Sequence, residues 1–462
     1  MTLLEEFIFA LSKTGRDKLR PLQFRGAKRK IFFKILDCRA RGCIDSETFV
    51  KRYKLTKKRY YQILSEMLAA CYHDIIPKGG TALLLYLGNK QLFRHFFHEM
   101  KKQEATLIEK NNKHALELYY FRVLLERNLL LLHQKFNEEI IAEFDAYARR
   151  YIGVLENPHP DDSLYLEILE ISKKIEEPLQ GFSMERMNPV ITKLEDIFER
   201  VKDGDRILAK YAASNTLMMI LSRFHFEGKS PAPYAAYGMQ LMKNHPDIFA
   251  PIKDFYELEC LQFLPGDEHN TIELFKHYLT ESSKRLGPSL YYIGSFFPKI
   301  LWNGDNEWVE KYIAKYFPYN IDLLRNDVAL HYRYIEMISH VYAGKYAEGE
   351  ECLHKAFAAN TGKNRTVSSD ILLRCYEVFF VAMRSDPITL ENAVIRQIRY
   401  AQRHGYERDE TYQLVFLKAV NDLVKYIGFD DTKAEKTKDK FLATSGAEHL
   451  GFLFQTIYKK YF

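Results

Sequence analysis

Four residues near the start of the chain, Cys38, Cys43, Cys71 and His73, are of the types that bind zinc. The Cys-x4-Cys interval is long beside the tight pairs usual in structural zinc sites. Cys71 and His73 lie two apart on an expected helix and so point in different directions. The six cysteines, at 38, 43, 71, 260, 352 and 375, are too few and too scattered for a disulfide scaffold and fit reduced, buried thiols. "HFFHEM" places His95 and His98 three apart, followed by Glu99. A metalloprotease helix needs two His four apart with Glu between them, so this reads as an amphipathic helix with two surface imidazoles. "PKGGT" at 77–81 lacks the first Gly and the Gly-Lys-Ser/Thr end of a phosphate loop, and a hairpin turn fits it better. No Gly-x-Gly-x-x-Gly and no Gly-x-Ser-x-Gly occurs. Asp161-Asp162 and Asp430-Asp431 stand in turn or capping contexts. We therefore expect no catalytic residue, no cofactor and no metal ligand, and a protein that is not an enzyme.

The basic residues carry the sharpest functional signal. Residues 1–100 hold 20 Lys and Arg against 9 Asp and Glu, a net of +11; the whole chain is at +6, so the other 362 residues are at −5. Such a head is drawn to anionic partners, including the protein's own body. "AKRKIFFKILDCRARG", "DSETFVKRYK" and "LTKKRYYQILSEMLAACYHD" read as three helices, the second capped by Asp45 or Ser46 and the third by Thr56. "IIPKGGTALLLYLGN" reads as a hairpin around Lys78-Gly79-Gly80. Three helices and a hairpin resemble a winged helix-turn-helix. The third helix then opens with Lys57, Lys58, Arg59, Tyr60 and Tyr61, where base-reading residues stand. Lys51, Arg52 and Lys54 are placed to hold phosphates. A solvated basic face, or a face that docks on an acidic protein, uses the same residues.

The elements that must position these groups are helices. Gly (22) and Pro (15) are sparse in 462 residues, which favours long helices over tight turns. Apolar residues recur at three and four nearly throughout, for example Ile140, Ile141, Phe144, Tyr147, Ala148 and Tyr151. "ENPHPDDS" at 156–163 is the clearest break, with further turns at 176–183 and 201–206. No apolar run approaches the roughly 20 residues that span lipid, so no membrane insertion is expected. Glu5 and Glu6 stand where a signal peptide would be basic. We read a first amphipathic helix and a cytoplasmic protein.

Gly228, Gly266, Gly304, Gly344 and Ser385 each separate two helical stretches, at intervals of 38, 38, 40 and 41. Eight, nine and thirteen residues after each marker stand fifteen residues, none of them charged, such as Tyr312, Ile313 and Phe317 after Gly304. These offsets form one helix face. A lone helix pair cannot bury it, whereas stacked pairs can.

"HVYAGKYAEGEECLHKAF", 340–357, resembles the second half of a tetratricopeptide repeat. Gly344-Lys345-Tyr346 matches that family's inter-helix turn, and Gly349 and Ala356 its small packing positions. The other units match loosely, Val309 and Tyr312 being bulky. The resemblance implies a superhelix with a concave face that binds a protein or peptide. Separately, "GRDKLRPLQF", the segment from "IFFKILDC" to "SEML" and "HALELYYFRVLLERN" are similar to the first third of uncharacterised helical proteins common in one large group of gut and soil bacteria. That similarity rests on the basic N-terminal segment and on Ser65 and Leu68, and it implies architecture but no activity.

The sequence thus predicts an all-α protein. A basic, winged-helix-like head spans 1–100, and a solenoid of antiparallel helix pairs spans 112–462, clearest over 207–405 and closed by a cap at 406–462. A non-catalytic scaffold for a protein or peptide partner is the leading expectation. The alternative is a transcriptional regulator whose head binds DNA.

Overall fold

Thr2 opens the first helix, Leu3–Phe9, with a reciprocal cap: its hydroxyl accepts from the Glu5 amide at 3.3 Å and the Glu5 carboxylate accepts from the Thr2 amide at 2.5 Å. This is seen in a computed structural model that describes residues 2–38, 45–75, 83–84, 86–87, 92–111, 115–121, 123–124, 138–155, 159–176, 184–223, 229–250, 252–264, 268–286, 290–324, 326–360, 367–403, 412–443 and 448–462. Among them the regular structure is helical throughout and includes no strand. No helix among them is long and apolar enough to cross a membrane.

Ser12 caps the helix Lys13–Leu19, Asp45 caps Ser46–Arg52, and the Thr56 hydroxyl accepts from the Arg59 amide at the start of Lys57–Ile75. These helices close, with Gly26–Leu36 and Phe93–Glu109, over Phe7, Ile31, Phe32, Ile35, Met67, Cys71 and Phe96, all fully buried. The expected hairpin is corrected in part. Its turn at 78–80 lies outside the described residues, but Leu83, Leu84, Tyr86 and Leu87 are helical and buried. Leu83, Leu84, Tyr86 and Leu87 are large and apolar, and burying all four suits a core helix better than one face of a two-stranded wing.

Glu104 joins this region to the helices that follow. Its carboxylate accepts from Tyr120 Oη at 2.5 Å and Tyr147 Oη at 2.9 Å, with Arg150 Nε at 3.1 Å. Phe144, Tyr147, Ala148 and Tyr151 are buried as one stripe, as their spacing requires. A second connection is remote in sequence. The Tyr319 amide donates to Leu11 O at 3.0 Å, and the Arg16 guanidinium lies over the rings of Phe9 and Tyr319 while donating to Leu36 O at 3.1 Å. Burial pushes Arg16 down to about 10, so this cation is held by carbonyls and rings.

From 207 onward, neighbouring helices pack in chain order: Ile207–Arg223 on Ala232–Asn244, Leu290–Trp302 on Asn326–Tyr342, Asn326–Tyr342 on Tyr346–Ala359, then Val367–Arg384, Pro387–Arg403 and Tyr412–Tyr426. Of the fifteen uncharged marker positions, only Ala236 and Leu274 are exposed. An ion pair joins three of these turns to an earlier helix: Lys229 with Glu195, Lys345 with Glu310, Arg384 with Glu350, at separations of 34, 35 and 34 residues. Exposed pairs of this kind add little stability.

Close approach is needed at Gly238. A Cβ there would lie 2.4 Å from Tyr256 Oη, 2.9 Å from its Cζ and 3.1 Å from Cys260 Sγ. Tyr256 is fully buried, with its ring edge-on to Tyr211 at 4.8 Å, and has no room to retreat. Gly238→Ala should destabilise the protein by about 2 kcal/mol, because overpacking outweighs the gain in helix propensity. The urea midpoint should fall at unchanged slope; a midpoint equal to or above the parent's would contradict this packing.

The C-terminal segment does more than close the series. It contains an unexpected helix, Asp431–Leu442, and then Glu448–Tyr461, which packs on Tyr412–Tyr426 and also reaches back to Val367–Arg384 and Leu290–Trp302. Phe452 stacks on Tyr342 at 3.9 Å and meets the edge of Trp302 at 6.2 Å. Tyr461 Oη lies 2.9 Å from both Ala382 O and Ser385 O. Trp302, Tyr342 and Ala382 stand near the C-terminal ends of Leu290–Trp302, Asn326–Tyr342 and Val367–Arg384, each just before a turn. The last helix therefore crosses the ends of three of these helices.

Candidate functional site

The head presents its cations around one turn. Helix Ser46–Arg52 ends in a Schellman motif: the Leu55 amide donates to Val50 O at 2.9 Å and the Lys54 amide to Lys51 O at 3.2 Å. The turns after Trp302 and Tyr342 use the same pattern, with Asp305 donating to Ile300 O and Lys345 to His340 O. Gly304 and Gly344 supply the left-handed residue there, at φ +87° and +72°. In the head that residue is Lys54, at φ +50°. A side chain in this conformation costs roughly 1 kcal/mol or more relative to glycine. The helix-to-helix turn that lacks glycine in the sequence is thus made by a strained lysine.

Lys51, Arg52, Lys54, Lys57 and Lys58 are exposed, and among the described residues none forms a salt bridge. Arg59 is exposed too but sits 3.5 Å from Glu66, whose other oxygen pairs with Lys28. These two cations hold the Glu66 carboxyl below its usual range and tie Gly26–Leu36 to Lys57–Ile75. Between those helices opens a cleft of about 510 Å³, with Arg25, Lys28 and Arg59 on its walls and Phe24, Leu55 and Ile63 among its apolar lining.

Tyr60 is a correction. It was expected to read a ligand, yet it is 1 % exposed and heads the buried stripe Tyr60, Ile63, Leu64, Met67, Leu68 and Cys71. Tyr61, by contrast, is 58 % exposed. It shares an outward face with Lys58, Gln62 and Ser65, at helical spacings of three, four and seven. Tyr61 stands at the surface where the sequence put it, whereas sequence reasoning missed Gln62 and Ser65 as surface groups, and Arg25 and Lys28 as cleft walls. The signal was present as the polar complement of the apolar stripe.

On the array, Gly304 and Gly344 make turns, and Tyr346 meets Phe379 edge-on at 5.4 Å. Gly349 is a contact position: a Cβ would lie 3.0 Å from Phe380 Cζ. Ala356 is fully buried.

Other candidate chemistry resolves into structure. Cys71 is buried while His73 is exposed, so they face apart. Cys71, Cys260, Cys352 and Cys375 are free and buried, and burial raises all four thiols, Cys71 to about 12 and Cys352 to about 11. Buried, protonated thiols are poor nucleophiles. Cys38 corrects the expectation of reduced thiols: it is disulfide-bonded, to a partner outside the described residues. A low cysteine count argues against a scaffold of bridges but does not forbid a single bridge. His95 is a further correction. It is fully buried, with Nδ1 bonded to Tyr72 Oη and Nε2 3.7 Å from Glu6, while His98 remains exposed. Asp161 and Asp162 are buried at a helix start, where Asp162 accepts from the His159 amide at 2.7 Å and pairs with Arg206 at 3.3 Å. No group of three or more His, Cys, Asp or Glu that could hold a metal occurs among the described residues. No protein-family model, no curated protein and no solved structure matches the chain.

Proposed function

We propose that this protein is a non-catalytic scaffold, a tetratricopeptide-like superhelix that holds an amphipathic helical segment of a partner protein against the ends of its first helices. The observation that carries this reading is the seat of Glu448–Tyr461. Trp302, Tyr342 and the carbonyls of Ala382 and Ser385 receive one helix across three successive units. Such a row offers apolar rings for anchors and open carbonyls for orientation, the elements of helix-in-groove recognition. The recurring ion pairs at 34 and 35 residues support the repeat reading.

A partner helix must compete with the resident one, and this can be tested optically. The chain has two tryptophans. Trp308→Phe leaves Trp302 as reporter of the seat. Helical peptides selected from a display library on the full chain should carry aromatic anchors at helical spacing and shift the Trp302 emission. Tyr342→Ala should weaken them by about tenfold or more. Selected peptides that bind equally well to Tyr342→Ala and leave Trp302 unchanged would refute this seat as the docking surface.

A further inference from the structure

We propose that the head binds duplex DNA, with helix Lys57–Ile75 laid along the major groove and Lys51, Arg52, Lys54 and Lys57 on the flanking phosphates. This goes beyond the scaffold reading and rests on a different surface.

Three observations converge on it. The first is charge without internal compensation: five exposed cations cluster across one turn and form no salt bridge among the described residues. Polyphosphate backbones are met by such sets, each contact releasing a bound counterion. The second is the conformation of the turn. A glycine would fit the left-handed position better, yet Lys54 occupies it at φ +50° and stays exposed. The sequence uses glycine for the same motif at Gly304 and Gly344, so what distinguishes the head's turn is the cation.

The third observation separates DNA from an acidic protein, which the cations alone would serve equally. The outward face of Lys57–Ile75 is not merely charged. Lys58, Tyr61, Gln62 and Ser65 stand on one side of the helix, while Tyr60, Ile63, Leu64 and Met67 anchor the other in the core. Gln can donate to and accept from an adenine edge together, Lys donates to guanine, and Ser to either. A rigid helix with a hydrogen-bonding face between phosphate-binding cations is the layout of groove readers. The cleft walls Arg25 and Lys28 extend the basic residues onto the start of Gly26–Leu36. Because the second arm of the expected wing is helical, the proposal assigns no role to a wing.

The test uses the full chain and fluorescence anisotropy with labelled duplexes of about 20 base pairs, two helical turns. Affinity should fall with salt at a log–log slope of about −3 to −4, as four phosphate contacts imply. Lys57→Glu with Lys58→Glu should lower affinity at least about a hundredfold while the circular dichroism spectrum and urea midpoint hold. Lys54→Gly should raise the urea midpoint and reduce the salt slope by about one, which separates loss of a phosphate contact from loss of fold. Gln62→Ala should flatten preference among duplexes selected for tight binding, by roughly tenfold at one position. No binding by the folded chain at low salt would overturn the proposal. So would equal binding by the double charge reversal, or equal affinity for polyglutamate or single strands.

Discussion

Truncating Phe454 to alanine should cost about 3–5 kcal/mol, the range for a large aromatic removed from a packed interior. Phe454 is fully buried, 4.7 Å from the Phe441 ring and 6.4 Å from Phe416. It shares the inner side of the last helix with Leu450, Leu453 and Ile457, each fully buried. These residues clamp Glu448–Tyr461 to the two helices before it, and Phe452 then reaches across to Trp302 and Tyr342. Loss of the clamp should therefore be felt far from the substitution. In a Trp308→Phe background, Phe454→Ala should lower the urea midpoint and shift Trp302 emission to the red together. If Trp302 keeps its emission while stability drops, the last helix is held at 302 independently of its own core.

The second large effect is acid destabilisation through His95. Burial pushes this imidazole down to about 3, with Arg94 and His98 adding in the same direction. A backbone hydrogen bond at Leu3 opposes the shift and full burial outweighs it; the Glu6 carboxylate lies 3.7 Å from Nε2. Tyr72, which contacts Nδ1, and Glu99, buried on the same helix, complete the surroundings. In the unfolded chain a histidine titrates near 6.5. Between that value and about 3 the unfolded state binds a proton that the folded state does not, so stability falls as pH falls through this window. The loss between about pH 7 and about pH 5 comes to about 2 kcal/mol. Urea titrations of the parent and of His95→Gln should show the parent's steeper dependence on pH. Equal dependence in both would remove His95 from the explanation.

Local periodicity carried the sequence a long way here. Tight turns at Gly304 and Gly344, the caps at Asp45 and Thr56, and the buried faces after each marker all follow from a few neighbouring residues. Two misplaced groups were legible by the same rule. Tyr60 continues the stripe of 63, 64, 67, 68 and 71, but its place beside Lys57–Arg59 drew it into the charged surface. His95 precedes the buried Phe96 and was assigned by residue type, since imidazoles are more often outside. What spacing alone does not encode is contact at distance. Nothing in "EHLGFLFQTIYKKYF" distinguishes a helix that ends a stack from one that lies across it, because both need the same apolar pattern. The pairing of Phe452 with Tyr342 depends on how the intervening helices curve. The meeting of Leu11 with Tyr319 is of the same kind.

That reach of the last helix bears on how the chain is made. Tyr342 leaves the ribosome about 110 residues before Phe452. At roughly 5–20 residues per second, its ring waits on the order of 5–20 s for a cover that has not yet been translated. During that interval a growing chain shows a strip of bare aromatic surface, and factors that shelter nascent polypeptides should meet it there.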